Sequence, residues 1–371
     1  MSQKNGHLFI DNIRHCSMLA VVLSHCYPAT LLPHVGPPLV FQVWFQCSKF
    51  GTIAFFLVAG YLVGERLDQQ SSQNYLWRRL SRLGRPWLAW FSIYCAMLVC
   101  GHWLCHRPLA HLPSITEAIV DPLFGSAFWF VPNLVFALCV LLALSRHIDD
   151  WHWGAVLLCP ALFYAINIYG GWVDTRHSTA FTGFVGYLWL GAWAARNWNR
   201  VVKVLSAVPA LTLFWVLPAF LLLAVGETRI LTSFHSPDPQ NSLRITNQLF
   251  SISVVLVLLK IKTSLWPMFL NVREHTFGIY LMHSPINVVV GFFLLHSAFV
   301  TTSATNYGTV GLICLWMVRF ACTYALSVVL TISMAQSPRL SWIIGVHRRE
   351  CAPTEMQMAP ACFVEDTPSH A

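Results

Sequence analysis

The sequence predicts an all-α fold: a polytopic integral membrane helical bundle of about ten transmembrane helices, both termini cytoplasmic. Three observations predict it. Of 371 residues, 56% are hydrophobic and only 10% charged, against about 25% charged in a soluble chain, and mean hydropathy is +0.58. The apolar residues come in runs of about 20, the length that crosses a hydrocarbon core. Lysine and arginine also alternate by side: one set of connections holds sixteen and the other four. That asymmetry assigns the richer set to the cytoplasm.

The apolar segments fall at 8–31, 40–63, 84–104, 127–146, 151–169, 180–196, 204–226, 243–261, 276–298 and 307–334, the fifth and sixth being the shortest. Proline or glycine punctuates most connections, at Pro33, Pro37 and Pro38, Pro108 and Pro113, Gly170 and Gly171, and Pro237 and Pro239. No soluble domain interrupts residues 1–335. Residues 336–371 are polar, carry Pro353, Pro360 and Pro368, and read as a disordered cytoplasmic tail. The N-terminus reads as retained, because Asp11 and Arg14 break the apolar run and no small-residue cleavage site follows. The net charge of +8 does not indicate nucleic acid, since the basic residues sit between apolar spans. The twelve cysteines have no paired spacing. Cys95, Cys139, Cys159 and Cys314 lie in apolar spans as small hydrophobes, so neither disulfide nor metal is expected. The loosely spaced His102, His106 and His111 do not alter that. The sixteen tryptophans read as interfacial belt and packing.

The first segment is the most informative. At about 100° per residue, Arg14 and His25 return to within about 20° of each other, and Asp11 lies about 60° to the other side. All three share one face, with Arg14 and His25 about 16 Å apart along the axis. Ionisable groups inside a membrane are costly and are functional candidates by default. A histidine there can act as a neutral general base. An arginine at the cytoplasmic edge can hold a phosphate or acyl oxygen, and Asp11 at i−3 can fix Arg14. The plainer alternative is a snorkelling arginine and a histidine bonded to a neighbouring helix.

Other candidates follow along the chain. Arg78, Arg82 and Arg85 fall at i, i+4 and i+7 on one cytoplasmic helix face. They suit a multiply phosphorylated ligand and equally suit topology and anionic lipid headgroups. Lys49 lies at a depth approaching that of His25, where it can stabilise an oxyanion or snorkel to the outer surface. Tyr280 and His283 are one turn apart in the ninth segment, and Arg319 sits in mid-span with a structural partner expected.

Several of these residues lie in motifs that resemble the membrane acyltransferase-3 family. Asp11-Asn12-Ile13-Arg14 followed by an apolar run to His25 resembles its Arg-x10-His pattern. Phe55-Phe56-Leu57-Val58-Ala59-Gly60-Tyr61-Leu62, the arginine-rich turn Arg78–Pro86, Trp129-Phe130-Val131-Pro132, and Phe277-Gly278-Ile279-Tyr280-Leu281-Met282-His283-Ser284-Pro285 resemble further family segments in the same order, over about residues 8–335. The stretch Gly60–Arg66 and Asp11-Asn12 look most like the branch that acylates surface polysaccharides. Ala59 stands in place of the usual serine and excludes a serine nucleophile there; His15 follows Arg14 where glycine is common, and Phe128 stands where histidine often precedes the Trp-Phe pair.

The resemblance implies an O-acyltransferase in the cell membrane (the inner membrane, if bacterial). It implies no permanently bound cofactor, an acyl-coenzyme A co-substrate, acetyl-coenzyme A first among them, and a glycan hydroxyl or lipid-linked glycan precursor as acceptor. His25 would be the base, with Arg14 and Asp11 orienting the donor. Arg78, Arg82 and Arg85 would bind the coenzyme A phosphates, while Lys49, Tyr280 and His283 would line the site among membrane lipids. The competing class is a polytopic transporter or exporter of a glycan or small molecule. On the span boundaries above, only Asp11 stands at a membrane edge and no other acidic residue lies inside a span. Proton-coupled carriers use buried carboxylates, so this favours the enzyme.

Overall fold

A computed structural model of the chain describes residues 8–28, 38–67, 71–105, 114–296 and 309–346. Among them every one of the ten apolar segments carries helix and no strand occurs. The helices are α1 Leu8–His25, α2 Leu39–Ser48, α3 Gly51–Gly64, α4 Ser72–Cys105, α5 Asp121–Gly125, α6 Phe130–Ala143, α7 Trp151–Gly170, α8 Val185–Arg196, α9 Trp198–Ala207, α10 Ala210–Ser233, α11 Ile245–Lys260, α12 Val272–His296 and α13 Thr309–Gln336. Six spans are long and apolar enough to cross a membrane, or seven if the bent pair 116–125 and 127–143 is one span. The remaining apolar segments give α1, interrupted by its polar stripe, and the shorter α8 and α11. The fifth segment forms a full 20-residue helix; only the sixth is short, at 12 residues.

The bundle is built around α1 and α3. Gly60 and Gly191 explain the closest contact, α3 against α8. A Cβ on Gly60 would stand 1.9 Å from the Leu188 carbonyl oxygen, and one on Gly191 would stand 2.0 Å from that of Leu57. Only hydrogen fits at either position. Close backbone approach through small residues is how helices associate where lipid removes the usual hydrophobic drive. Gly60 and Gly64 are one such small-residue repeat on α3. On the periphery, α10 turns Leu211, Phe214, Trp215 and Leu222 outward, as a lipid-facing helix must.

Two breaks within spans matter later. The second span breaks at Lys49-Phe50 between α2 and α3, with Ser48 Oγ donating to the Phe45 carbonyl at 2.6 Å. The fourth bends by 75° at Ser126. There Ser126 Oγ donates to the Pro122 carbonyl at 2.6 Å and accepts from Phe128 N at 3.2 Å. Backbone freed inside a membrane must find such partners.

Three expectations are corrected. The seventh segment does not begin at 204: Pro209 ends the amphipathic α9, and α10 then runs to Ser233. Glu227 therefore lies inside a span, and the statement that no acid does so fails. It is 5% exposed, accepts from Tyr169 Oη at 2.9 Å and Thr246 N at 3.1 Å, and lies 3.9 Å from Nη1 of the fully buried Arg244. Arg244 also donates to the Ala224 carbonyl, Thr228 Oγ1 and Gln46. Burial of this pair kept it from view, because α10 outruns its apolar stretch to accommodate it. Finally, packing does not stop at residue 335. A 3-10 turn at Ser341–Ile344 follows α13, and Ile344 is wholly buried. The rest of the expected tail, residues 347–371, lies outside the described residues, as do His106 and His111.

Candidate functional site

Two cavities open along the polar face of α1. The larger, about 360 Å³, lies at the arginine-rich end and is lined by Arg14, Arg79, Arg82, Arg273 and Glu274. The smaller, about 200 Å³, is lined by His25, Lys49, His177 and the hydroxyl residues Ser24, Ser48 and Ser242. Phe55, Phe130 and Tyr280 line both. They form the partition, with ring centroids 6.0 Å apart for Phe55–Phe130 and 5.6 Å for Phe130–Tyr280. Tyr280 is fixed by a hydrogen bond from its hydroxyl to the Ala127 carbonyl, exposed by the bend at Ser126.

In the first cavity Asp11 is a bridge. It accepts from Arg14 Nη1 at 3.4 Å and from Arg273 Nε at 2.8 Å, joining α1 to α12. Asn12 holds the same level of the bundle. Its Nδ2 donates to the Thr263 carbonyl at 2.9 Å and its Oδ1 accepts from Leu265 N at 2.9 Å. Arg79 Nε is buried without a hydrogen-bond partner among the described residues, which a cavity ligand bearing anionic oxygens would supply. Four guanidiniums against the carboxylates of Asp11 and Glu274 give the cavity a net positive lining.

The second cavity owes its shape to α1 ending inside the bundle. The last carbonyls of a helix have no partner within it. Here Asn287 Nδ2 donates to the His25 carbonyl at 2.8 Å and Trp316 Nε1 to that of Leu23 at 2.9 Å. Arg319 is the structural residue expected: its Nε donates to Asn287 Oδ1 at 2.7 Å. These contacts set the position from which His25 projects. The negative end of the α1 dipole also lies beside the ring, which suits an imidazole that becomes positive during a reaction. His283 stands behind His25, ring centroids 5.2 Å apart, fully buried, with Nδ1 donating to the Tyr280 carbonyl at 2.5 Å. Lys49, delivered by the break in the second span, holds its ammonium 5.2 Å from the Phe45 ring centroid.

The structure thus brings His25, Lys49 and Tyr280 to one cavity, Arg14, Arg82 and Tyr280 to the other, and Asp11 and His283 directly behind them. Arg78, Arg82 and Arg85 are all exposed, and of the three only Arg82 lines a cavity. The residue beside Arg82 is Arg79. On α4 the inward stripe is Tyr75, Arg79, Arg82 and Pro86, at i, i+4, i+7 and i+11, and both Tyr75 and Pro86 are buried. That stripe was available to periodicity, had the arginines been grouped with their apolar neighbours. Arg273 and His177 had no local signal. His177 lies in the loop after α7, its Nδ1 3.0 Å from Asp238 Oδ2 and its ring edge-on to Trp129. Burial raises the Asp238 carboxyl, but the hydrogen bond from His177 and the charges of His177 and Lys49 outweigh it and hold Asp238 below the ordinary carboxylate range.

Comparison with families of known proteins matches residues 7–334 to a family described as an acyltransferase domain, the acyltransferase-3 family. No curated protein and no solved structure matches the chain.

Proposed function

The chain belongs to the acyltransferase-3 family and is an acyltransferase of the membrane, and from that premise we propose that it transfers an acyl group from acyl-coenzyme A, acetyl-coenzyme A first among them, to a hydroxyl of a cell-surface glycan or its lipid-linked precursor. The observation that carries this reading is the pairing of a cationic cavity with a hydroxyl-lined one across a three-ring partition. Anionic phosphates belong with Arg14, Arg79, Arg82 and Arg273. The acceptor hydroxyl belongs with His25. The positive-inside count puts the first cavity on the cytoplasmic side, where acyl-coenzyme A is found. The pantetheine arm then reaches along α1 toward the partition.

In the chemistry, His25 takes the proton of the acceptor hydroxyl as the oxygen attacks the thioester carbonyl. The carbonyl oxygen gains negative charge, which the Lys49 ammonium is positioned to stabilise. Collapse breaks the carbon–sulfur bond, and the thiolate leaves with the proton returned from the His25 imidazolium. An acyl-enzyme stage would add one bond, from the acyl carbon to a protein nucleophile, formed as the carbon–sulfur bond breaks and broken as the acceptor oxygen attacks. Asp11 holds Arg14 and Arg273 in register and touches neither reacting atom.

The test is His25→Ala, with glycan acylation read by mass analysis and insertion by abundance in the membrane fraction. We expect acylation to vanish at unchanged abundance. Acylation at the wild-type level would refute the assignment.

A further inference from the structure

We propose that His177, held by Asp238, is the residue that seats the acceptor in the second cavity, through a hydrogen bond between its Nε2 and an acceptor hydroxyl, while His25 performs the chemistry. The inference deepens the acyltransferase reading above and rests on it.

The argument begins with which atoms of the cavity remain available. Ser24 Oγ donates to the Val21 carbonyl at 2.8 Å and Ser48 Oγ to that of Phe45 at 2.6 Å. Each hydroxyl has one proton, so each offers a cavity ligand only lone pairs. His177 follows the same logic. A carboxylate can only accept, so Nδ1 carries the proton shared with Asp238, and Nε2 is the ring atom left to the cavity. Thr52 and Ser242 add two further hydroxyls to the lining, and Lys49 an ammonium. Donors and acceptors placed side by side match a ligand bearing several hydroxyls, each of which can do both.

The position of His177 is also overdetermined, as a binding residue requires. Asn133 Nδ2 donates to the Ser178 carbonyl at 2.9 Å. Asn241 Nδ2 donates to the Thr175 carbonyl at 2.5 Å, tying the His177 loop to the Asp238 loop. Trp129 flanks the ring at 5.2 Å between centroids. His177 and Asp238 side chains are 24% and 16% exposed, so the pair is sheltered but reachable from the cavity. Both residues lie in loops, outside the helix that carries His25 and Arg14.

The test uses the full chain in nanodiscs with methyl α-D-glucopyranoside as the hydroxyl probe. Two quantities are read for the wild type, His177→Ala, His177→Gln, Asp238→Asn and Asp238→Glu: probe affinity from the shift in melting temperature, and coenzyme A release from acetyl-coenzyme A with water or the probe as acceptor. We expect His177→Ala to weaken the probe by about tenfold in Kd and in KM, the loss of one hydrogen bond. The effect should fall on KM for the probe, with kcat at saturating probe held within about twofold. His177→Gln, which still offers an acceptor oxygen, and Asp238→Glu should recover most of the affinity. If His177→Ala lowers kcat with water and with the probe together, or leaves probe affinity unchanged, the proposal is overturned. A wild-type chain that binds no probe overturns it too. Absence of coenzyme A release from every chain would instead count against the donor reading, and the melting shifts alone would then decide the role of His177.

Discussion

Asp11→Asn separates a positioning carboxylate from a chemical one. Asp11 is 8% exposed at its side chain and contacts two arginines that line the cationic cavity. The amide keeps the shape and can still accept one hydrogen bond, but the charge is gone. A hydrogen bond to a charged group contributes about 1.5–3 kcal/mol and a neutral one about 1 kcal/mol. Arg273 is 52% exposed and water replaces part of what it loses. A net loss of about 1.4 kcal/mol in the order of the donor site follows, which is about tenfold in affinity. The expected result is a KM for acyl-coenzyme A raised five- to tenfold (about 1–1.4 kcal/mol) with kcat held within about twofold. Arg273→Gln should do the same, and the double variant should add little, because both substitutions remove one interaction. The assay is coenzyme A release against donor concentration in nanodiscs. A fall in kcat at unchanged donor KM would refute the positioning role and make Asp11 part of the chemistry.

Three further outcomes follow from the same geometry. Arg79→Gln and Arg82→Gln should each weaken donor binding by about tenfold, the loss of a charge-assisted hydrogen bond, while Arg78→Gln and Arg85→Gln leave it unchanged; equal effects from all four, measured by competition with coenzyme A, would contradict the cavity lining. Gly60→Leu should lower the melting temperature sharply, because even a Cβ would stand 1.9 Å from the Leu188 carbonyl oxygen and overpacking costs about 1–3 kcal/mol or more; an unchanged melting curve would mean α3 and α8 are not in contact. Glu227→Ala strands the buried Arg244 and should cost about 3–5 kcal/mol, yet leave kcat per folded molecule intact because Glu227 lines neither cavity. Substrate flux that depends on Glu227, measured in proteoliposomes without acyl-coenzyme A, would revive the transporter alternative.

What was legible in the sequence was whatever one helix contains. The rotation arithmetic on α1 needs only residue spacing, so Arg14 and His25 were found on one face before any fold existed. Positions reached through tertiary contact were not legible. Arg273 registered only as a positive charge in a connection, and its bond to Asp11 spans most of the chain. His177 and Asp238 are ordinary loop residues until two loops are tied together by Asn241. Arg78 and Arg85 mislead for a physical reason. An arginine on the lipid-headgroup side of a helix and one on the ligand side satisfy the same charge rule, and only the burial of Tyr75 and Pro86 tells which side faces in. Glu227 misled in the opposite direction, because hydropathy ends a span at the first charge, whereas a paired charge lets the helix continue.

The end of α1 joins these observations. The carbonyls at the end of α1 lie inside the bundle, where lipid cannot satisfy them; α12 and α13 supply Asn287 and Trp316, and Arg319 holds Asn287. The arrangement fixes His25 through its own backbone and leaves its side chain open to the cavity. The break at Lys49 and the bend at Ser126 do the same for the opposing walls. The end of α1 and these two interruptions together make a polar chamber behind a partition of Phe55, Phe130 and Tyr280. Interruptions of this kind are tolerated within a membrane where they are buried in protein or line such a space. Their convergence is a stronger indication of a reaction chamber than any one of the polar residues within it.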